Sequence, residues 1–333
     1  MGKLSHKNLG KLLSCIKKDP RVIVPPLPGF DSGVHLIGDK YLVVSTDPCI
    51  GVPEKWFGWL LMHYAASDVA LFGAKPEFCT INLLGPPSTK PQTFIKIMEQ
   101  TCKAADELEV SVVTGHTGSY EGMSTLVGVC TAYGTVDKER LITPAGAVPG
   151  DFILCTKPIG LEVAVNLAST NRGVAEKLFG TSRAKKLAEL VTMQSCVKEA
   201  LTLAKMGGVH AMHDATEGGL TAALNEVAEA SKVGFEIEFE KVPAPNEVLV
   251  LQKHLDLSDG QLMSLSSTGT ILAAVSPEAK DNVEESLRLG GVEARFLGVF
   301  TKKNRCLLVK NGRETPFPRR ADDPYERILS TKL

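Results

Sequence analysis

The sequence predicts a layered α/β (α+β) fold in two domains, residues 1–148 and 149–333. Three observations carry this expectation. Strand-like and helix-like patterns alternate in both halves. A length of 333 residues exceeds what one hydrophobic core usually organises. Near the middle, the Pro-, Gly- and Ala-rich stretch TPAGAVPGD over 143–151 interrupts the pattern and marks the boundary.

In the first half, leucines at 4, 9, 12 and 13 with Ile16 predict a short amphipathic helix ending near Lys18. The stretch VIVPPLPGFDSG then reads as a shaped loop, because its prolines and glycines forbid regular helix. Strands follow at Val34–Ile37 and Tyr41–Ser45, joined by a turn at Gly38–Asp39. A helix is expected from Trp56 to Phe72, stopped by Gly73 and Pro76. Strand Phe78–Leu84 leads through Pro86–Pro87 into a helix at Gln92–Leu108, and strands Val110–Thr114 and Thr125–Thr135 close this half.

The second half opens with strand Phe152–Thr156. Helices are expected at 159–170, 181–205, 217–231, 245–254 and 277–289, and strands at 209–213, 234–239, 269–275, 292–299 and 305–309.

Composition excludes several classes. With 37 basic and 38 acidic residues there is no charge excess to draw nucleic acid or a membrane surface. Eight cysteines without a CxxC pair read as small buried hydrophobes in a reducing compartment. No apolar run reaches ~20 residues and MGKLSHKNLGKLL lacks a signal-peptide core, so a cytoplasmic location is expected.

The informative feature is the placement of acidic residues. Asp47 closes the apolar run YLVVSTD, and Asp68 interrupts the apolar helix HYAASDVALFG, where an unpartnered carboxylate is costly to bury. Asp214 follows the apolar run GVHAMH, Glu217 opens a helix, and Asp31 sits in the loop GFDSG. Alone, each reads as a cap or turn residue. Together they predict a cleft of oxygen ligands suited to a hard ion such as magnesium beside the phosphates of ATP. In HDATEGGL, Asp214 or Thr216 is placed to cap a helix, while Gly218 and Gly219 permit close approach of a ligand at its N-terminus. Gly115, His116 and Thr117 of VTGHTGSYEG are expected in a turn after a strand.

STDP, SDVALFGAKP, TGHT, PGDFIL and HDATEGGL occur in the order found in the aminoimidazole ribonucleotide (AIR) synthetase superfamily. Over roughly residues 28–300 the chain resembles that family, nearest to its HypE-like hydrogenase-maturation branch. The resemblance implies an AIR-synthase-like fold whose N-terminal domain forms a dimeric β-barrel, with an ATP- and magnesium-binding N-terminal domain and a layered C-terminal one. It implies a homodimer and an ATP-dependent enzyme that phosphorylates or activates a small molecule or amide-type oxygen. A thiamine-monophosphate-kinase-like activity and a non-catalytic nucleotide-binding maturation scaffold are the alternatives.

Carried over by motif, Asp47, Asp68 and Asp214 are expected to hold Mg2+. Asp31, Asp47, Asp68, Gly115, Thr117, Asp214, Gly218 and Gly219 are expected at the nucleotide, and His116 and Glu217 in acid/base roles. Two departures narrow the chemistry. The chain reads ILSTKL where the HypE branch has a C-terminal cysteine acceptor, and KWFGWLL lacks the lysine that kinase-like and HypE-like members carry, leaving Lys55 nearby. The tail PFPRRADDPYERIL is the expected docking segment for a maturation partner protein, with packing on its own domain as the alternative.

Overall fold

The structure, a computed structural model, describes residues 6–302 and 305–332. Leu4 of the expected first helix lies outside these. Among the described residues two compact units are formed, one from residues 10–141 and the other from residues 142–332 together with 6–9.

The first unit begins within α1 (His6–Leu13), at Gly10, and continues with β1 (Val22–Val24), β2 (Gly33–Ile37), β3 (Lys40–Ile50), α2 (Phe57–Leu71), β4 (Phe78–Gly85), α3 (Pro91–Leu108), β5 (Ser111–Ser119) and β6 (Val127–Val136). Its sheet has the order β1-β2-β3-β6-β4-β5, antiparallel except for the β4–β5 pair. Alternation along β4 and β6 is strict: Cys79, Ile81, Leu83, Gly128, Cys130 and Ala132 are buried, with their neighbours half-exposed. α2 covers the buried face at β3 and β6. It is apolar nearly all round and buried except at Tyr64, as a helix enclosed by a sheet and a second helix must be. α3 lies on α2 through Ile97, Thr101, Ala104 and Ala105, one helical stripe. Close approach is possible because Gly58 has no Cβ, which would stand 2.3 Å from the Ile97 carbonyl oxygen.

The second unit runs β7 (Phe152–Thr156), α4 (Leu161–Thr170), α5 (Arg172–Phe179), α6 (Thr181–Ala188), α7 (Val197–Ala204), β8 (Val209–Ala215), α8 (Gly219–Ser231), β9 (Gly234–Glu238), α9 (Asn246–His254) and α10 (Asp259–Met263). It continues with β10 (Ser267–Val275), α11 (Lys280–Leu289), β11 (Ala294–Thr301), β12 (Cys306–Lys310), β13 (Arg313–Pro316) and α12 (Tyr325–Leu329). Its sheet has the order β13-β12-β9-β11-β7-β10-β8, with only β9–β12 parallel. Ile153, Leu167, Leu224, Phe235, Leu265 and Leu297 are among its fully enclosed side chains.

Several elements differ from the sequence expectation. VIVPPLPGFDSG is not wholly loop, because Val22–Val24 pairs with β2 before the prolines begin. The expected helix 181–205 is α6 and α7, separated by a 3-10 turn at Leu190–Gln194. The tail, read either as a docking segment or as packing on its own domain, does pack on its own unit. Phe317 stacks edge-on against Phe235 at 4.9 Å between centroids, and Ile328 is buried. Asn166 Nδ2 donates to the Tyr325 hydroxyl at 2.8 Å and Asn171 Nδ2 to the Thr331 carbonyl at 2.9 Å.

Candidate functional site

In the first unit the acidic residues gather on β3, α2 and the loop before β2. Asp68, only 5% exposed, accepts a hydrogen bond from the Ser45 hydroxyl at 2.7 Å. The same hydroxyl lies 3.1 Å from the main-chain oxygen of Asp31, so one side chain ties that loop to α2. Phe30 beside it meets Phe72 edge-on, 6.4 Å between centroids. Asp68 is buried because α2 is enclosed; it is tolerated because β3 presents a hydroxyl rather than a valine at that point.

Asp47 lies inside β3 rather than at its end, opposite Cys130 of β6. The strand continues through Pro48 because β2 stops pairing at Val44, leaving the proline nitrogen no ladder bond to break. Two residues beyond Ser45, Asp47 shares the face covered by α2. Its charge, together with burial as the larger cause, pushes the Cys49 thiol up to about 12. Asp31, Asp47 and Asp68 are thus brought to one region of this unit. Their donors are oxygens, the set that suits magnesium.

Gly115, His116 and Thr117 lie within β5, not in a turn after it, because the parallel ladder with β4 runs on to Ser119. Gly115 falls in one cross-strand row with Asp47, Cys130 and Ile81, three strands away or roughly 14 Å. A Cβ at Gly115 would stand 2.1 Å from the Ile81 oxygen, so this glycine serves the strand pairing itself. His116 belongs to the row of Pro48, Val129 and Asn82, on the face opposite Asp47. It is exposed and hydrogen-bonded to the Tyr120 hydroxyl. The aromatic residues before the SD motif divide by function: Phe57 and Trp59 are buried, while half-exposed Trp56 carries the Lys55 ammonium 5.1 Å from its ring centroid.

In the second unit the focus is the end of β8. Asp214 lies within that strand, opposite Ile271, and is 4% exposed. Next to it His213 is likewise buried, with Nε2 2.9 Å from Glu226 Oε2 on α8. The chain turns through Thr216 and exposed Glu217 into α8, which begins at Gly219, two residues later than expected. Its N-cap is Gly218, with no side-chain cap from Asp214 or Thr216. Gly218 and Gly219 have φ of 83° and 56°, the left-handed region, and a Cβ at Gly219 would stand 2.3 Å from the Leu265 oxygen.

Sequence reasoning missed the acidic partner of this turn. The Gly218 N–H donates to Asp323 Oδ2 at 3.2 Å, so a carboxylate from the tail occupies part of the turn. Burial is the main cause that raises the Asp323 pKa. Behind it, Glu162 accepts from the Ser266 hydroxyl at 2.7 Å and from the Thr268 N–H at 2.9 Å. Its pKa is nonetheless raised, because desolvation outweighs those donors. Ser45, His213 and Glu226 were also missed. A lone polar residue on the buried face of an apolar strand was the available signal for Ser45 and His213; nothing in the sequence pointed to Asp323.

The fold defines a class: a two-domain α/β protein with a mixed sheet in each unit. Residues 29–136 match the model of the AIR synthase related protein N-terminal domain, and residues 148–310 that of its C-terminal domain. The chain belongs to the AIR synthase related family. It is 31% identical over 272 residues to the carbamoyl dehydratase HypE of Cupriavidus necator, covering 79% of this chain and 74% of that one. It is 27% identical over 340 residues to the selenide, water dikinase of Carboxydothermus hydrogenoformans, covering 92% and 95% respectively. Among solved structures it is similar to the hydrogenase maturation protein HypE in complex with ATP, with a TM-score of 0.72, 20% identity and 97% of each chain covered.

Among the described residues, no helix is long and apolar enough to cross a membrane.

Proposed function

We propose that this chain is an ATP- and magnesium-dependent enzyme of the HypE-like branch, which phosphorylates or activates a small molecule or an amide-type oxygen. The observation that carries the reading is the buried Asp68 carboxylate, held by Ser45 beside the Asp31 loop and on the face shared with Asp47. A carboxylate so positioned offers the oxygen donors that a hard divalent ion takes. Asp47 and Asp68 in the first unit, and Asp214 in the second, would each serve as a magnesium ligand, and the ion would supply charge neutralisation at the transferred phosphoryl group. Gly218 and Gly219 would give backbone approach at the start of α8, with Asp31 and Thr117 toward the nucleotide, whereas Gly115 is accounted for by its strand pairing. Glu217, exposed at the α8 turn, and His116, exposed on β5, are our candidates for acid/base roles.

The same reading includes a homodimer, a maturation partner protein and a cytoplasmic setting. The β5 edge supports the dimer, because among the described residues no strand pairs with its outer side, and Val113 there is 57% exposed. Calorimetric titration with ATP tests the core of the proposal. Binding is expected with magnesium and weakly without it; no heat under either condition would sink the reading. Product analysis then divides the chemistry: ADP with free phosphate indicates activation of an acceptor, and a stable phosphorylated product indicates kinase action.

A further inference from the structure

We propose that His213 is itself a ligand of the divalent ion assigned to Asp214, oriented by Glu226 and adding a nitrogen donor to an otherwise oxygen site. The inference rests on the preceding assignment of Asp214 to the metal. Its own basis is the geometry at the end of β8. His213 is 2% exposed and its Nε2 stands 2.9 Å from Glu226 Oε2, a hydrogen-bond distance that places the ring proton on Nε2. The tautomer so fixed has its lone pair on Nδ1. That atom lies 3.6 Å from Asp214 Oδ1.

The separation decides between two arrangements. It is too long for an imidazolium N–H donating to Asp214. It is readily spanned by one ion making two bonds of roughly 2.0–2.2 Å. A histidine that gives its other ring N–H to a carboxylate is the usual support for a metal-bound imidazole, since it fixes the ring and raises its basicity. Sequence neighbours on a strand normally face apart, yet here they share an edge. β10 bulges opposite them: Ser267 pairs with Ala215 and Ile271 with Asp214, leaving Thr268–Thr270 outside the register. β8 is the last strand of its sheet, so both side chains stand where the ladder ends.

A nitrogen donor makes the site more hospitable to transition-series ions than oxygens alone would, and Mn2+, which shares the oxygen ligands that suit magnesium, supplies a spectroscopic probe independent of turnover. Mn2+ is added to the full chain and its binding followed by electron paramagnetic resonance, with electron spin-echo modulation reporting directly bound nitrogen. The wild-type protein is expected to show nitrogen coupling. In His213→Gln that coupling is expected to vanish, and in Glu226→Gln, which keeps the ring and its burial, Mn2+ affinity is expected to fall about 10–100-fold. Bound Mn2+ without nitrogen coupling in the wild type, or coupling that survives in His213→Gln, overturns the His213 assignment alone. Undiminished Mn2+ binding by Asp214→Asn overturns instead the Asp214 assignment on which it stands.

Discussion

The Ser45 hydroxyl donates to the buried Asp68 carboxylate at 2.7 Å while lying 3.1 Å from the Asp31 main-chain oxygen. One hydrogen-bonding group therefore couples helix α2 to the loop before β2. Replacing Ser45 by Ala should destabilise the chain by about 1–3 kcal/mol, the effect of leaving a buried acceptor short of a donor. Asp68→Asn should instead leave the fold intact and weaken Mg-ATP binding by about tenfold or more, or ~1.4 kcal/mol. Urea unfolding and calorimetry read the two effects separately. Unchanged affinity in Asp68→Asn would remove Asp68 from the metal assignment.

Gly219→Ala should be strongly destabilising. Its φ of 56° disfavours any Cβ, and the added atom would meet the Leu265 oxygen at 2.3 Å. The loss should exceed about 1 kcal/mol, the ordinary scale of a glycine substitution at positive φ. Gly173→Ala, where a Cβ meets nothing within 4 Å inside α5, is the control and should be neutral or mildly stabilising. A shift of similar size in both variants would refute this account.

Glu162 gives a pH dependence with a definite sign. Burial raises its folded pKa above the unfolded value. The folded state then binds its proton more tightly, so this group's contribution is most favourable at low pH and is lost as pH rises through the raised folded pKa. Glu162→Gln removes that titration. The stability of the wild type relative to Glu162→Gln should therefore decline from acid toward neutral pH, as measured by denaturant unfolding at several pH values. A pH-independent difference would show that the carboxyl titrates alike in both states.

Lys157 and Glu199 form a buried pair, Nζ to Oε1 2.7 Å, with both side chains under a tenth exposed. Lys157 Nζ also donates to the Met193 carbonyl at 3.2 Å. Lys157→Met or Glu199→Leu alone should cost about 3–5 kcal/mol, since each removes the charge partner of the other. Combining Lys157→Met with Glu199→Leu should recover much of that loss. Denaturation of the singles and the double decides it; additive losses would contradict the pairing.

The long elements were legible because their periodicity and stops are local. The helix ending at Gly73 and the strand at Phe78 follow from burial spacing and from glycine and proline alone. Elements that depend on a distant partner were not legible. β5 extends through TGHTG only because β4 supplies a parallel ladder, and Gly115 is explained by the Ile81 oxygen opposite it. Asp68 was visible as a charge inside an apolar helix, but its partner Ser45 sits 23 residues away in the chain. Asp323 lies 105 residues beyond Gly218, and no local pattern connects a tail aspartate to that turn.

The distribution of thiols has a practical consequence. Cys49, Cys79 and Cys130 are enclosed in the first unit, and Cys155 and Cys196 in the second, whereas Cys15 and Cys102 face solvent. Burial pushes Cys155 up to about 12, as it does Cys49 together with Asp47, so neither offers a reactive thiolate at neutral pH. An alkylating reagent applied to the native chain therefore marks the surface first. Each later modification times an opening event, and peptide mapping assigns that event to one half of the chain: the fold carries its own stopwatch for partial unfolding.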